Sequence, residues 1–406
     1  MNQYPLPDGW RWAKLGDVCT KAEKRDPRNT PDVTFKYVDI SGIDNRRKKI
    51  IDARSILGRD APSRARQVVR TNDTIVATTR LNLNAVALIS SDLDNEICST
   101  GFSVLRTTEI ILPSYLFSFV QTQHFIDAIT DQVKGMLYPA VTDKQVREVL
   151  IPLPPLPEQR RIAAKIQELI QEVDRGRAAC EKQLEAAKAL PAGYLREIFE
   201  SEEAKNWQKK KIGEVIREAL PGFACGRRAG VEGVFQLRMN NISSEGRIDL
   251  SSLIKVPATQ KQIDKYLLLP GDVIFNNTNS TELVGKSALF NEEEGVYVYS
   301  NHLTRLRTVS TLLSSGYLTL WLHLLWVRRV FESICNRWIG QAAVQRDKLL
   351  NLEIPLPPLP KQKRVVSEMQ KRTTISEHLK SVALIKINSL DAIPQAILKR
   401  AFRGEL

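Results

Sequence analysis

Ile151-Pro152-Leu153-Pro154-Pro155-Leu156-Pro157 recurs unchanged as Ile354-Pro355-Leu356-Pro357-Pro358-Leu359-Pro360, and each copy leads into a long charged segment. Agreement continues at Gln159 and Gln362 and at Arg161 and Arg364, so nine of eleven positions match at an offset of 203 in a chain of 406 residues. Successive prolines fix φ and remove backbone donors, which predicts a stiff extended segment. Pro157 and Pro360 fit the first turn of a following helix, where a missing N–H costs nothing. The alternative, a Pro-rich linker or SH3-type ligand, does not account for recurrence at half-chain spacing ahead of matched helical segments.

Working outward, each motif is followed by apolar residues at three- and four-residue spacing. The first set is Ile162, Ile166, Leu169, Val173, Cys180, Leu184 and Ala187; the second, less regular, is Val365, Met369, Ile375, Leu379 and Val382. So narrow a stripe, on helices of about 30 residues and roughly 45 Å, suits a coiled-coil pair. Two amphipathic helices packed separately on their own domains remain the alternative. Both segments end alike, with Leu190-Pro191, Leu195 and Phe199 matching Ile393-Pro394, Leu398 and Phe402.

The duplication also reaches upstream. Trp10 and Leu15-Gly16-Asp17-Val18 correspond to Trp207 and Ile212-Gly213-Glu214-Val215; Asp73-Thr74-Ile75-Val76 corresponds to Asp272-Val273-Ile274-Phe275. Each half has β-rich runs first (33–40, 73–79, 85–89 and 101–106; then 234–242, 272–276, 286–290 and 302–308). Helical segments follow at 113–130, at 142–148 behind a Thr142–Gln145 capping box, and at 313–336. Strands followed by helices argue an α+β fold, built twice, with an internal repeat.

A net charge of +13, with 29 basic and 26 acidic side chains in residues 1–200 and 30 and 20 in residues 201–406, suggests an anionic partner, nucleic acid first. Five cysteines with no close pair fit a reducing, cytoplasmic setting without a zinc site. The first residues carry no basic and apolar leader, and the longest apolar run, 318–327, is too short for a bilayer, so no membrane role is expected.

A catalytic reading finds little support. Gly285-Lys286-Ser287 resembles the end of a phosphate loop, but Ser280 stands where the first glycine is needed, and the other half has no counterpart. Both Pro-Pro pairs are flanked by leucine, not by the Asn/Asp and aromatic residues of an amino-methyltransferase. Glu203-Ala204-Lys205 is the chain's single acidic-x-Lys element, and it lies in the polar stretch between the halves. His124, His302, His323 and His378 lack metal spacing. No catalytic residue, metal or cofactor is therefore assigned.

Two polar loops suit base recognition. Thr78-Thr79-Arg80-Leu81-Asn82-Leu83-Asn84 follows one strand, and Asn276-Asn277-Thr278-Asn279-Ser280 follows its counterpart. Arg pairs with guanine and Asn with adenine through bidentate hydrogen bonds, so Arg80, Asn82, Asn84, Asn276, Asn277 and Asn279 are candidate readers; the plain alternative is that Asn-rich loops are turns. Phosphate contacts are expected from Arg46, Arg47, Lys48 and Lys49, with Arg59, Arg64 and Arg66, and from Arg227 and Arg228 with Lys209-Lys210-Lys211.

Taken together, the two L-P-P-L-P-x-Q-x-R segments (153–161 and 356–364), the L/I-G-D/E-V openings and Ala401-Phe402-Arg403-Gly404-Glu405-Leu406 resemble the specificity subunit of type I restriction-modification systems. The resemblance implies two target-recognition domains, 1–152 and 201–355, separated by two long antiparallel spacer helices, 153–200 and 356–406. Each domain would read one part of a bipartite, asymmetric double-stranded DNA target. Two methyltransferase subunits, and restriction subunits in the full complex, would dock on the helices together with parts of the domains; the stripe residues Ile162, Ile166, Leu169, Val173, Leu184, Met369, Ile375, Leu379 and Val382 are the docking candidates on the helices. The runner-up is an enzyme that modifies or cleaves DNA by itself; a purely helical scaffold leaves the positive charge of both halves unexplained.

Overall fold

The computed structural model describes residues 4–133, 140–225 and 233–406. They form two compact units, residues 1–181 with 384–406, and residues 182–383. Each unit is rooted at one proline motif. In the first, Leu150–Leu153 pairs antiparallel with Arg11–Lys14, placing Pro152 opposite Trp12. The chain then turns into a helix, Leu156–Phe199. Gln159 is fully buried at this turn; its side chain accepts from Leu112 N (2.9 Å) and donates to Ile110 O (3.0 Å) and Pro154 O (2.9 Å). The Tyr115 hydroxyl donates to Pro152 O (2.8 Å). The second unit repeats every bond: Glu353–Pro355 pairs with Lys209–Lys211, Gln362 joins Ser314 N, Leu312 O and Pro357 O, and Tyr317 donates to Pro355 O. A buried amide with its hydrogen bonds satisfied explains why the glutamine recurs with the prolines.

The sheets repeat as well. In the first unit Thr74–Ala77 lies between Phe102–Thr107 and Val86–Leu88, and in the second Val273–Asn276 lies between Leu303–Thr308 and Ser287–Leu289, all antiparallel. Beside each, Thr34–Val38 or Val234–Leu237 takes one antiparallel neighbour (Arg54–Leu57, Ile254–Val256) and one parallel neighbour (Ile97–Ser99, Tyr297–Tyr299). A buried carboxylate pins each sheet: Asp73 takes two hydrogen bonds from Arg106 (3.0 and 2.9 Å), and Asp272 takes two from Arg307 (2.7 and 3.0 Å). The expected strands and α+β class are present, but two expected helices are split. Thr122 caps a new start by accepting from Phe125 N, giving Pro113–Phe119 and Gln123–Thr130. Arg329, at φ +58°, separates Ser315–Val327 from Val330–Ile334. Strands such as Arg54–Leu57 and Ala65–Val68, and the helix Gln260–Tyr266, are too short for periodicity to mark.

The long helices, Leu156–Phe199 and Leu359–Ala401, have 44 and 43 residues, longer than expected, because Pro191 and Pro394 lie inside them instead of ending them. Their pairing is antiparallel in both units. In the first, Ile162 and Ile166 share a core with Ile397, Leu398 and Ala401, while Gly176 faces Leu390. In the second, Ser376 Oγ donates to Ala187 O (2.7 Å), and Arg372 pairs with Glu197 (2.7 Å). The stripe on the second helix differs from expectation. Its buried line runs through Met369, Ser376 and Ala383, seven residues apart, whereas Ile375 and Leu379 are 55% and 44% exposed. Small residues in the seam let the backbones approach, which turns the neighbouring aliphatic positions outward. Ile162, Ile166 and Met369 are buried in the cores of their own units and cannot also face a partner; Leu169, Val173, Leu184 and Val382 are half-buried.

Ile166→Ala is expected to destabilise the fold by about 2–5 kcal/mol, the cost of a buried cavity. Ile375→Ala and Leu379→Ala should stay within about 0.5 kcal/mol. Urea unfolding followed by circular dichroism separates the two, and equal losses would return the exposed pair to the seam.

Candidate nucleic-acid interface

In the first unit the chain leaves Thr74–Ala77 through Thr78, whose hydroxyl donates to Gly101 O (2.9 Å), and enters a short turn over Leu81–Leu83. Arg80 and Asn84 flank this turn with φ of +52° and +42°. Leu81 is buried in the core, so the turn is anchored while Arg80 and Asn82 point into solvent. Asn84 does not join them. It is buried and its Nδ2 donates to Val120 O (3.2 Å), so it holds the loop and is corrected from base reader to support.

The basic run 46–49 divides in the same way. Lys48 donates to Asn84 O (2.6 Å), and burial pushes its ammonium down to about 8. Arg46 makes two bonds to Asp391 on the second long helix (2.9 and 2.8 Å), where Arg177 also pairs. Arg46 and Lys48 are thus held by a carboxylate and a loop carbonyl, whereas Lys49 is exposed and Arg47, 78% exposed, makes a long contact to Asp44 (3.9 Å). Arg59 is paired with Asp32 and Arg66 with Asp26. The cavity behind this turn, about 860 Å³, is lined by Arg47, Lys49, Val173, Arg177, Asp391 and Leu398 among others.

In the second unit Asn276 is wholly buried, its Nδ2 lying 3.5 Å from Met239 O, and it too is corrected to a supporting role. Asn277 is partly exposed and bonded to Thr278, Asn301 and Thr304. Asn279 accepts from Ser280 N (2.8 Å) at the end of the short strand Thr278–Asn279. That strand pairs with Gln341–Ala343, the second arm of a hairpin that the sequence pattern did not reveal. Arg227 and Arg228 lie outside the described residues. Lys209 pairs with Glu353, and Lys211 donates to Asn351.

The phosphate-loop resemblance has a structural cause. Gly285 has φ +90°, and a Cβ there would come within 2.2 Å of Phe331. Lys286 is buried with its amine on Ile242 O, and burial lowers its pKa. This glycine and lysine close a core instead of cradling an anion. Among the described residues no group of three or more His, Cys, Asp or Glu is placed to hold a metal, and no helix is long and apolar enough to cross a membrane.

The "Type I restriction modification DNA specificity domain" family model matches residues 7–185 and again 204–384. The chain belongs to this family. It is 22% identical over 426 residues to the type I restriction enzyme StySPI specificity subunit of Salmonella potsdam, covering 100% of this chain and 91% of that one. It is 23% identical to the EcoKI specificity subunit of Escherichia coli strain K12, over 76% and 69% of the two chains. Among solved structures, the HsdS subunit from Thermoanaerobacter tengcongensis is 34% identical, with a TM-score of 0.66 over 99% of both chains. A chain from a study of complex assembly and conformational transition of the type I R-M system is also 34% identical, with a TM-score of 0.81 over 100% of both. The two family matches coincide with the duplicated sheets, so each copy of the specificity domain carries one polar loop.

In the second copy the turn 243–247 is tied to the long helix by Glu245–Lys380 (2.9 Å) and Arg247–Glu377 (3.0 Å). His323 lies beneath it, stacked on Trp326. Burial holds His323 down to about 4, against the upward pull of Glu245. The unfolded chain takes up that proton near pH 6.5. Stability is therefore expected to fall as pH drops from about 6.5 to about 4, because the unfolded state binds more protons there. His323→Gln should flatten that part of the profile; urea midpoints between pH 4 and 7 that change in parallel for both proteins would contradict this.

Proposed function

We propose that this chain is the DNA-specificity subunit of a type I restriction-modification complex, with residues 1–152 and 201–355 as its recognition domains. The carrying observation is the duplicated sheet whose matching strands each deliver a different polar loop to the surface. Two similar frames with different loops suit an asymmetric, bipartite duplex target. Arg80 and Asn82 in the first unit, and Asn277 and Asn279 in the second, are the base-reading candidates. Arg47, Lys49, Arg227 and Arg228 are the phosphate-contacting ones. The subunit works with modification and restriction subunits and supplies no catalytic residue or cofactor; two modification subunits, one for each repeat, fit the internal symmetry. Of the docking candidates, Ile375 and Leu379, exposed on the second helix, remain as contacts for those partners, while the buried Ile162, Ile166 and Met369 are withdrawn.

Purified alone, the chain is expected neither to methylate nor to cut DNA with S-adenosylmethionine, ATP and magnesium present; methyl transfer by the isolated chain would favour an enzyme. Within the complex, Arg80→Ala should weaken binding by about 1–3 kcal/mol and relax base preference in one half-site. Arg47→Ala should weaken all sequences alike and reduce the salt slope by about one. Selection from a random pool checks both: an Arg80→Ala complex that returns the parental sequence at parental strength would remove the loop from the reading surface.

A further inference from the structure

The hairpin that abuts the second polar loop ends in an unusual way. Its arms, Asn336–Trp338 and Gln341–Ala343, are joined by Ile339-Gly340, with Gly340 at φ +76°. Trp338 is 60% exposed and Ile339 is fully exposed. Among the described residues Ile339 is left uncovered and most of Trp338 with it, and a large apolar pair at a solvent-facing tip is the kind of surface that proteins keep for binding. The tip is held firmly from behind. Thr278 and Asn279 pair with Ala343 and Ala342, Asn277 O accepts from Val344 N (3.0 Å), and Lys348 donates to Ile334 O (2.6 Å) and Asn336 Oδ1 (3.2 Å). Residues 328–348 hold five basic side chains, Arg328, Arg329, Arg337, Arg346 and Lys348, against two acidic ones, Glu332 and Asp347.

We propose that this hairpin is a DNA-contacting ribbon of the second unit, entering the major groove so that Trp338 and Ile339 make apolar contact with base edges, thymine C5-methyl groups above all. The inference rests on the recognition reading given above. A B-form major groove, about 12 Å wide, admits a two-stranded ribbon, and thymine is the base that presents a methyl group there. The ribbon lies in one small sheet with Asn279, and Arg346, exposed at its root, suits a flanking phosphate, whereas Arg328, Arg329, Arg337 and Lys348 are engaged with Glu200, Glu332, the Glu332 carbonyl and the Ile334 carbonyl. Protein docking would also use an apolar tip, but the adjoining Asn loop and the exposed Arg346 favour a duplex.

The test uses the full chain reconstituted with its modification subunits, with the double variant W338S/I339S as the probe. Because both side chains lie in solvent, the variant should melt as the parent does and assemble normally. The parental complex should enrich a target whose second half-site contains an A·T pair. On that duplex the variant should bind at least tenfold more weakly, with non-specific binding and salt slope unchanged. Replacing thymine by uracil in that half-site should weaken the parent and leave the variant unaffected. A variant that enriches the same target with parental affinity overturns the proposal, as do a half-site without A·T pairs and an equal uracil effect on both proteins. Loss of subunit assembly with DNA binding intact assigns the tip to a protein partner and also overturns it. A parental complex that enriches no sequence overturns the recognition reading together with this one.

Discussion

Each unit depends on a buried glutamine bonded to the carbonyl of a proline. Gln159 and Gln362 accept from a backbone N–H at the start of the neighbouring helix and donate to two carbonyls, one of them in their own proline motif. Proline contributes no N–H to the strand but leaves its carbonyl in place, and Tyr115 and Tyr317 take up the carbonyls of Pro152 and Pro355. Three elements therefore meet at one fully bonded polar point: the edge strand, the long helix and the helix that covers the sheet. Such a point is costly to disturb, because each bond lost leaves a buried polar group unpaired. This accounts for the constancy of the motif between halves whose strands and loops have diverged.

Charged groups near the two polar loops serve two purposes. Arg46, Lys48 and Asn84 form a frame behind the first loop, and Glu245, Arg247 and Lys380 tie the matching turn of the second unit to its helix. Residues a position or two away, such as Arg47, Lys49 and Asn82, remain outward. The frame fixes where the outward groups stand, which lets a loop change its reading residues without losing its place. Exposed ion pairs of this kind contribute little to stability, so their value lies in positioning.

The two units differ in where each buries an arginine. In the first, buried Arg147 donates to the carbonyls of Cys19, Thr20 and Val104. In the second, the place of Arg147 against the opening glycine belongs to Leu350. There a buried arginine comes from a strand instead: Arg305 pairs with Glu218 and donates to the carbonyls of Lys265 and Leu267. The carbonyls served also differ, those of Cys19, Thr20 and Val104 in one unit and those of Lys265 and Leu267 in the other, so neither the arginine nor its acceptors carry over between the repeats.

The sequence by itself determined the duplication and the order of the main strands and helices; the resemblance that the repeated motifs carry added the family and the antiparallel helix pair. Duplication and element order follow from proline placement, hydrophobic period and an internal repeat, all local or internal to the chain. The tertiary structure decided which members of each polar run face solvent. Asn84 and Asn276 have the composition of base readers but are drawn inward by the carbonyls of Val120 and Met239, and no spacing rule marks that. It likewise decided that Ser376 and Ala383 line the helix seam while Ile375 and Leu379 face out, since close backbone approach favours small residues over apolar ones. The hairpin of Trp338 and Ile339 was illegible for the same reason: three-residue arms carry no period, and only pairing with Thr278–Asn279 shows what they adjoin.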